Sequence, residues 1–163
     1  MVDILSLVLL GIFTMLCVYL AYIYFANRKH LKIKDKSQMT VKVLVIVLLA
    51  LVTGSLILNY KENNPIDYLR SFILYAVVFF FYNMHDGVGD DGVVAYSRFY
   101  AWNDINAYDY AEDAKQTTLF IETPGRKGDE IKRVMFTHEN GAEAIKIVKD
   151  NIPKKYKRMK KTT

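Results

Sequence analysis

Residues 4–26, ILSLVLLGIFTMLCVYLAYIYFA, run for 23 positions without a charge and decide where this chain can fold. A helix of that length covers the ~30 Å hydrocarbon core of a bilayer with some tilt. A second uncharged stretch, VLVIVLLALVTGSLILNY, follows at residues 43–60. A third, IDYLRSFILYAVVFFFY at residues 66–82, carries Asp67 and Arg70 near its start. Its strictly apolar part, residues 71–82, is too short to cross alone. A third crossing therefore requires both charges at the headgroups, with the Arg70 guanidinium reaching outward; the alternative is a re-entrant or interfacial helix. Beyond residue 84 the chemistry changes to polar, strand-forming sequence with a lysine-rich end. The expected organisation is a three-span α-helical membrane region (1–84), a small α+β domain (85–153) and a polybasic tail (154–163).

The first stretch opens on the acidic Met-Val-Asp and ends without a small-x-small cleavage pattern, so it reads as a retained span and not a signal peptide. Orientation follows from the loops. Arg28, Lys29, Lys32, Lys34, Lys36 and Lys42 stand against Asp35 between spans one and two, whereas Lys61 and Arg70 are balanced by Glu62 and Asp67 in the next loop. The excess of lysine and arginine puts the first loop in the cytoplasm. Three crossings then place the N-terminus outside and the C-terminal domain inside, at the cell membrane. Tyr19, Tyr22, Tyr24 and Phe25 suit an inner aromatic belt, and Tyr60 and Tyr68 an outer one. Gly11, Thr14, Thr53, Gly54 and Ser55 read as helix-packing residues. Cys17, the only cysteine, excludes an intramolecular disulfide. Span interiors without ionisable groups argue against transport by a monomer.

Several strands are expected after residue 84. VVAY (93–96) follows the turn signal Asp90-Asp91-Gly92, FYAW (99–102) comes next, and 105–110 carries Tyr108 and Tyr110 two apart. TTLFIE (117–122) and EIKRVMFT (130–137) form a hairpin across Pro124-Gly125-Arg126-Lys127-Gly128. The last element is a helix, with Asn140 and Glu143 in capping-box spacing, Ala144, Ile145, Val148 and Ile152 on one face, and Pro153 as its stop. One apolar face following an antiparallel sheet should lie across it and close a core.

These segments, DGVVAYSRFYAWNDINAYDY, TTLFIE, EIKRVMF and NGAEAIKIVKDNI, resemble the bacterial pleckstrin-homology-like domains attached to membrane spans in uncharacterised membrane proteins. The resemblance covers some 60 to 65 residues and implies a partly open sheet barrel capped by the C-terminal helix, used for interaction and not for chemistry. Phosphoinositide recognition through a basic loop does not carry over, because the comparable hairpin offers only Arg126 and Lys127.

Candidate sites are few. Trp102 beside Ile105 reads as a core anchor. Tyr96, Tyr100, Tyr108 and Tyr110 form a candidate interaction surface, with core placement as the alternative. His85, Asp86, Asp90 and Asp91 could offer oxygen and nitrogen ligands to a metal, but Gly87, Gly89 and Gly92 explain them equally as a turn leaving the last span. Asp104, Asp109, Glu112 and Asp113 read as a solvated acidic loop, and His138 as a cap or exposed residue. Phosphate loops, zinc-spaced cysteines and nucleophile elbows are absent from the sequence. No catalytic, cofactor-binding or metal residue is assigned, and a non-enzymatic role is expected.

The formal charge of +5 belongs to two clusters. Lys154, Lys155, Lys157, Arg158, Lys160 and Lys161 fall within eight residues, while residues 84–153 hold eight basic and thirteen acidic side chains. Together with Arg28, Lys29, Lys32 and Lys34, the tail is expected to contact anionic lipid headgroups; nucleic acid is the weaker alternative. The leading expectation is a membrane-anchored cytoplasmic interaction or scaffold protein that binds a membrane-protein partner or itself. Alternatives are an immunity factor against membrane-active peptides and an accessory subunit of a transporter or membrane enzyme.

Overall fold

A computed structural model describes residues 4–36, 39–58, 64–126, 128–153 and 155–158. Helix α1 spans Ile4–Arg28, α2 Met39–Leu58 and α3 Pro65–Asn83. The chain divides into two units: Met1–Phe25 with Gln38–Met84, and Ala26–Ser37 with His85–Thr163.

Among the described residues, two stretches are long and apolar enough to cross a membrane, Leu7–Arg28 and Pro65–Asn83. At 1.5 Å per residue they measure about 33 and 28 Å, against ~30 Å of hydrocarbon. Only 6% and 17% of their apolar windows are buried, unlike the core helix of a water-soluble protein. The described apolar part of α2 is shorter, Val45–Leu58. The third segment, expected to be the weakest, thus qualifies by length.

Helix α3 runs unbroken through its two charges for a local reason. Asn64 accepts from the backbone N–H groups of Ile66 and Asp67, and Asp67 accepts from the N–H of Asn64, closing a capping box in front of Pro65. Arg70 Nη2 lies 3.3 Å from Asp67 Oδ1, so its charge is paired at the helix start. Thr53 on α2 meets the Tyr75 hydroxyl of α3 at 2.7 Å, and Tyr24 and Phe25 on α1 pack on Phe80 of α3. The Ser55 side chain lies outside the described ones.

The second unit is α+β. Strands β1 (Ile33–Lys34), β2 (Gly87–Val88), β3 (Gly92–Ala95) and β4 (Arg98–Ala101) form one antiparallel sheet in that order. Strands β5 (Ala107–Asp113), β6 (Gln116–Gly125) and β7 (Gly128–Thr137) form another. Helix α4, His138–Asn151, follows. The expected hairpin is present, with Leu119 opposite Val134 and Thr117 opposite Phe136. It is longer than expected, because Pro124 pairs with Asp129 and Gly125 with Gly128. Gly128 takes φ 129° there, a conformation that suits only glycine.

Alternation along β6 buries Thr117, Leu119, Ile121 and Thr123. They join Val88, Val93, Ile105, Val134 and Phe136 in a core that α4 closes with Ala144, Ile145, Val148 and Ile152, the face expected from their spacing. Trp102 packs on this core half-buried, in a short 3-10 turn (Trp102–Asp104), and its indole N–H donates to the Asp90 carbonyl at 2.8 Å. The cap of α4 differs from the expected Asn140: Thr137 accepts from the Asn140 N–H, and His138 is the first helical residue. The helix therefore starts three residues earlier, where β7 ends.

The expected boundary at residue 85 is corrected by β1. Residues 26–36 lie between α1 and α2 in sequence, yet β1 pairs with β2 through Ile33–Val88 and Lys34–Gly87. Lys36 N–H extends the contact to the Met135 carbonyl of β7 at 2.6 Å. The loop read as a basic linker is part of the domain, and the α2–α3 segment is an insertion within it.

Candidate interaction surface

The segment 26–36 is held by a dense set of contacts. Lys32 N–H donates to Val88 O (3.0 Å) and Asp35 N–H to Asp86 O (2.9 Å). Asn27 donates to Ser97 O at 2.7 Å. His30 stacks on Phe99 with ring centroids 3.9 Å apart and bonds Asp91, His85 Nδ1 meets Asp35 Oδ1 at 3.0 Å, and Lys32 pairs with Asp90 at 3.0 Å. Glycines make this approach feasible. A Cβ at Gly89 would sit 1.9 Å from the His30 carbonyl oxygen, and one at Gly87 2.1 Å from that of Ile33.

This resolves the cluster His85, Asp86, Asp90 and Asp91. The side chains of His85, Asp90 and Asp91 bind the 26–36 segment, and that of Asp86 binds a turn. Tyr96 and Ser97 both have positive φ, 51° and 62°, as a two-residue hairpin between β3 and β4 requires of its tip. Neither is glycine, and Asp86 offsets the strain by accepting from both N–H groups, at 2.7 and 2.9 Å. Burial pushes the Asp86 carboxyl above its ordinary value of 3.8, against the opposing pull of these two bonds. Among the described residues, no three histidine, cysteine or acidic side chains converge as a metal site.

The four candidate tyrosines do not form one surface. Tyr96 is exposed at the β3–β4 turn with Lys132 over its ring; Tyr100 and Tyr108 belong to the core, and Tyr110 is half-buried. Tyr108 and Tyr110, two apart on β5, share a face, whereas Tyr100 lies on β4 of the other sheet and Tyr96 at a turn. Tyr108 and Tyr110 share a third partner that the sequence reading placed in the tail: Tyr156, with ring centroids at 5.6 and 6.0 Å. Lys149 of α4 donates to the Tyr110 hydroxyl (3.0 Å) and lies over its ring. That bond holds the Lys149 ammonium above its usual value, and burial raises the Tyr108 phenol.

The tail is correspondingly not all tail. After α4, residues 155–157 lie along the outer edge of β5: Tyr108 N–H donates to Lys155 O (3.1 Å) and Lys157 N–H to Tyr108 O (2.9 Å), a parallel bridge. Lys155 Nζ donates to the carbonyls of Ile105 (2.7 Å) and Trp102 (3.3 Å), and Lys157 Nζ meets both Glu122 oxygens at 3.2 Å. Of the candidate lipid contacts, Arg28, Lys29, Lys34 and Arg158 are exposed, and Lys32 is exposed but paired with Asp90. Lys155 and Lys157 are engaged by the domain, while Lys154, Lys160 and Lys161, like Lys127 of the hairpin tip and Tyr60 of the expected outer belt, lie outside the described residues. The alternating Lys-Tyr-Lys at 155–157 is the strand-compatible signal that net charge concealed.

Comparison of the chain with family models, with curated proteins and with solved structures finds no match.

Proposed function

We propose that the chain is a non-enzymatic interaction protein of the cell membrane, whose α+β domain sits on the cytoplasmic side and contacts anionic lipid headgroups while binding a protein partner. The single observation that carries this reading is the β1–β2 pairing. Residues 33–34 precede α2 and residues 87–88 follow α3, yet they share one sheet, so the segment between them must leave the domain and return on the same side. With α2 and α3 each crossing once and α1 once, the chain makes three spans and the N-terminus lies opposite the domain in this reading. The basic residues at 28–36 favour the cytoplasm for that side.

A pleckstrin-homology-like architecture is supported by four strands, then three, then a closing helix. The interaction role is supported by Tyr96, an exposed aromatic held rigid on a tight turn. The test places a photo-crosslinking amino acid at Tyr96 in the full chain and irradiates intact cells. An adduct of one defined mass supports the reading; the absence of any adduct from a correctly inserted protein refutes it at this surface. A cytoplasm-only reporter at the C-terminus tests the side.

A further inference from the structure

We propose that residues 155–158 are a displaceable strap on the β5 edge, which an anionic membrane surface removes by taking over Lys155 and Lys157. The proposal rests on the lipid contact stated above and adds what that contact does. An exposed strand edge carries unpaired N–H and carbonyl groups that accept another strand. Here one such edge position is filled by the chain's own C-terminal segment, through both main-chain groups of Tyr108.

The strap is held by charge as much as by pairing. Lys155 spends its ammonium on the Ile105 and Trp102 carbonyls, and Lys157 on Glu122. An ammonium bound there cannot simultaneously reach a phosphate. The segment that follows, with Arg158 exposed and Lys160 and Lys161 next in sequence, concentrates positive charge beside it. Near an anionic leaflet every one of those lysines gains by moving toward the lipid, and the two that hold the strap are drawn along. Apolar attachment is weak by comparison: Tyr156 is half exposed, touching Tyr108 and Tyr110 by ring edges. Release would uncover those two rings and free the Tyr108 main-chain groups, so lipid composition would set whether this edge is covered.

The test uses the full chain in nanodiscs of phosphatidylcholine, alone or mixed with phosphatidylglycerol, and reads amide hydrogen exchange. Exchange at Tyr108 and Lys157 should quicken on the order of tenfold in the mixed discs, with β6 and β7 amides unchanged. Lys155→Gln should quicken it in both discs; if that variant loses β6 protection as well, Glu122→Gln carries the comparison. Native mass spectrometry in parallel counts retained phosphatidylglycerol. Retained lipid with equal exchange in both discs overturns the strap and leaves lipid contact standing. No retained lipid and equal exchange overturns both.

Discussion

Replacing Gly89 with alanine should detach the 26–36 segment from the domain. The new Cβ would lie 1.9 Å from the His30 oxygen and 2.8 Å from its carbon, both backbone atoms that cannot rotate away. Reaching ordinary van der Waals contact requires a movement of about 1.5 Å. A shift of that size breaks the Lys32–Val88 bond and strains the Gly89–Gly92 bond, which measure 3.0 and 2.9 Å. At a net ~1 kcal/mol for each bond, plus part of the ~1.5–3 kcal/mol that burial of Ile33 represents, the loss is about 2–3 kcal/mol. For a unit of this size that lowers the midpoint by roughly 10–20 °C. Trp102 is the only tryptophan and lies in the domain, so its fluorescence follows this unit apart from the helices. Thermal unfolding of the detergent-solubilised chain is the assay, with Gly11→Ala as control because nothing lies within 4 Å of a Cβ there. An unchanged midpoint for Gly89→Ala would refute the close approach and, with it, the inclusion of β1 in the sheet.

Gly141→Ala should destabilise the domain by up to about 2 kcal/mol: its Cβ would meet Thr117 at 2.3 Å, and overpacking of ~1–3 kcal/mol is offset by the ~1 kcal/mol gained in helix propensity. The same fluorescence melt checks it, and a rise in midpoint contradicts the α4–β6 contact. Phe136→Ala, at a position with no exposure, should cost about 3–5 kcal/mol and abolish the folded domain at moderate temperature, measured by loss of β6 amide protection. Asp86 gives a pH signature. Its carboxyl is raised in the folded state, so its contribution is fully present below the unfolded value of 3.8 and is lost as pH rises through the folded value. Wild type should therefore gain on Asp86→Asn as pH is lowered from neutral into the acid range, in paired melts; a difference that instead grows with pH reverses the sign and refutes the burial argument.

The legible parts of this fold are those where periodicity and burial agree. Ala144, Ile145, Val148 and Ile152 announced the buried face of α4, and TTLFIE announced a strand whose alternate residues enter the core. Elements that depend on partners distant in sequence were hidden. Strand β1 is two residues long inside a basic loop, and 52 residues separate it from its partner β2. Gly87, Gly89 and Gly92 read as turn formers because sequence shows flexibility and not the neighbour that requires it; the neighbours here are the carbonyls of Ile33, His30 and Tyr100. Charge misled in two places. The Asp67–Arg70 pair made α3 look too short, although the Asn64 capping box extends it, and the lysines at 155 and 157 looked free although each has a partner in the domain. The four tyrosines do not make one surface because they are spread over a turn and two sheets, with Tyr100 and Tyr108 buried.

The account depends most on the sheet formed across the α2–α3 insertion, and a cysteine pair at Ile33 and Val88 in a Cys17→Ser background tests it in native membranes. These residues are direct antiparallel partners, at the ~4.5–5.5 Å separation that suits a disulfide. Mild oxidation should yield an intramolecular cross-link, at a level comparable with the equally buried Leu119 and Val134 pair of β6 and β7. Cross-linking at Leu119 and Val134 but not at Ile33 and Val88 would contradict the shared sheet, and with it the argument that α2 and α3 leave and return on one side.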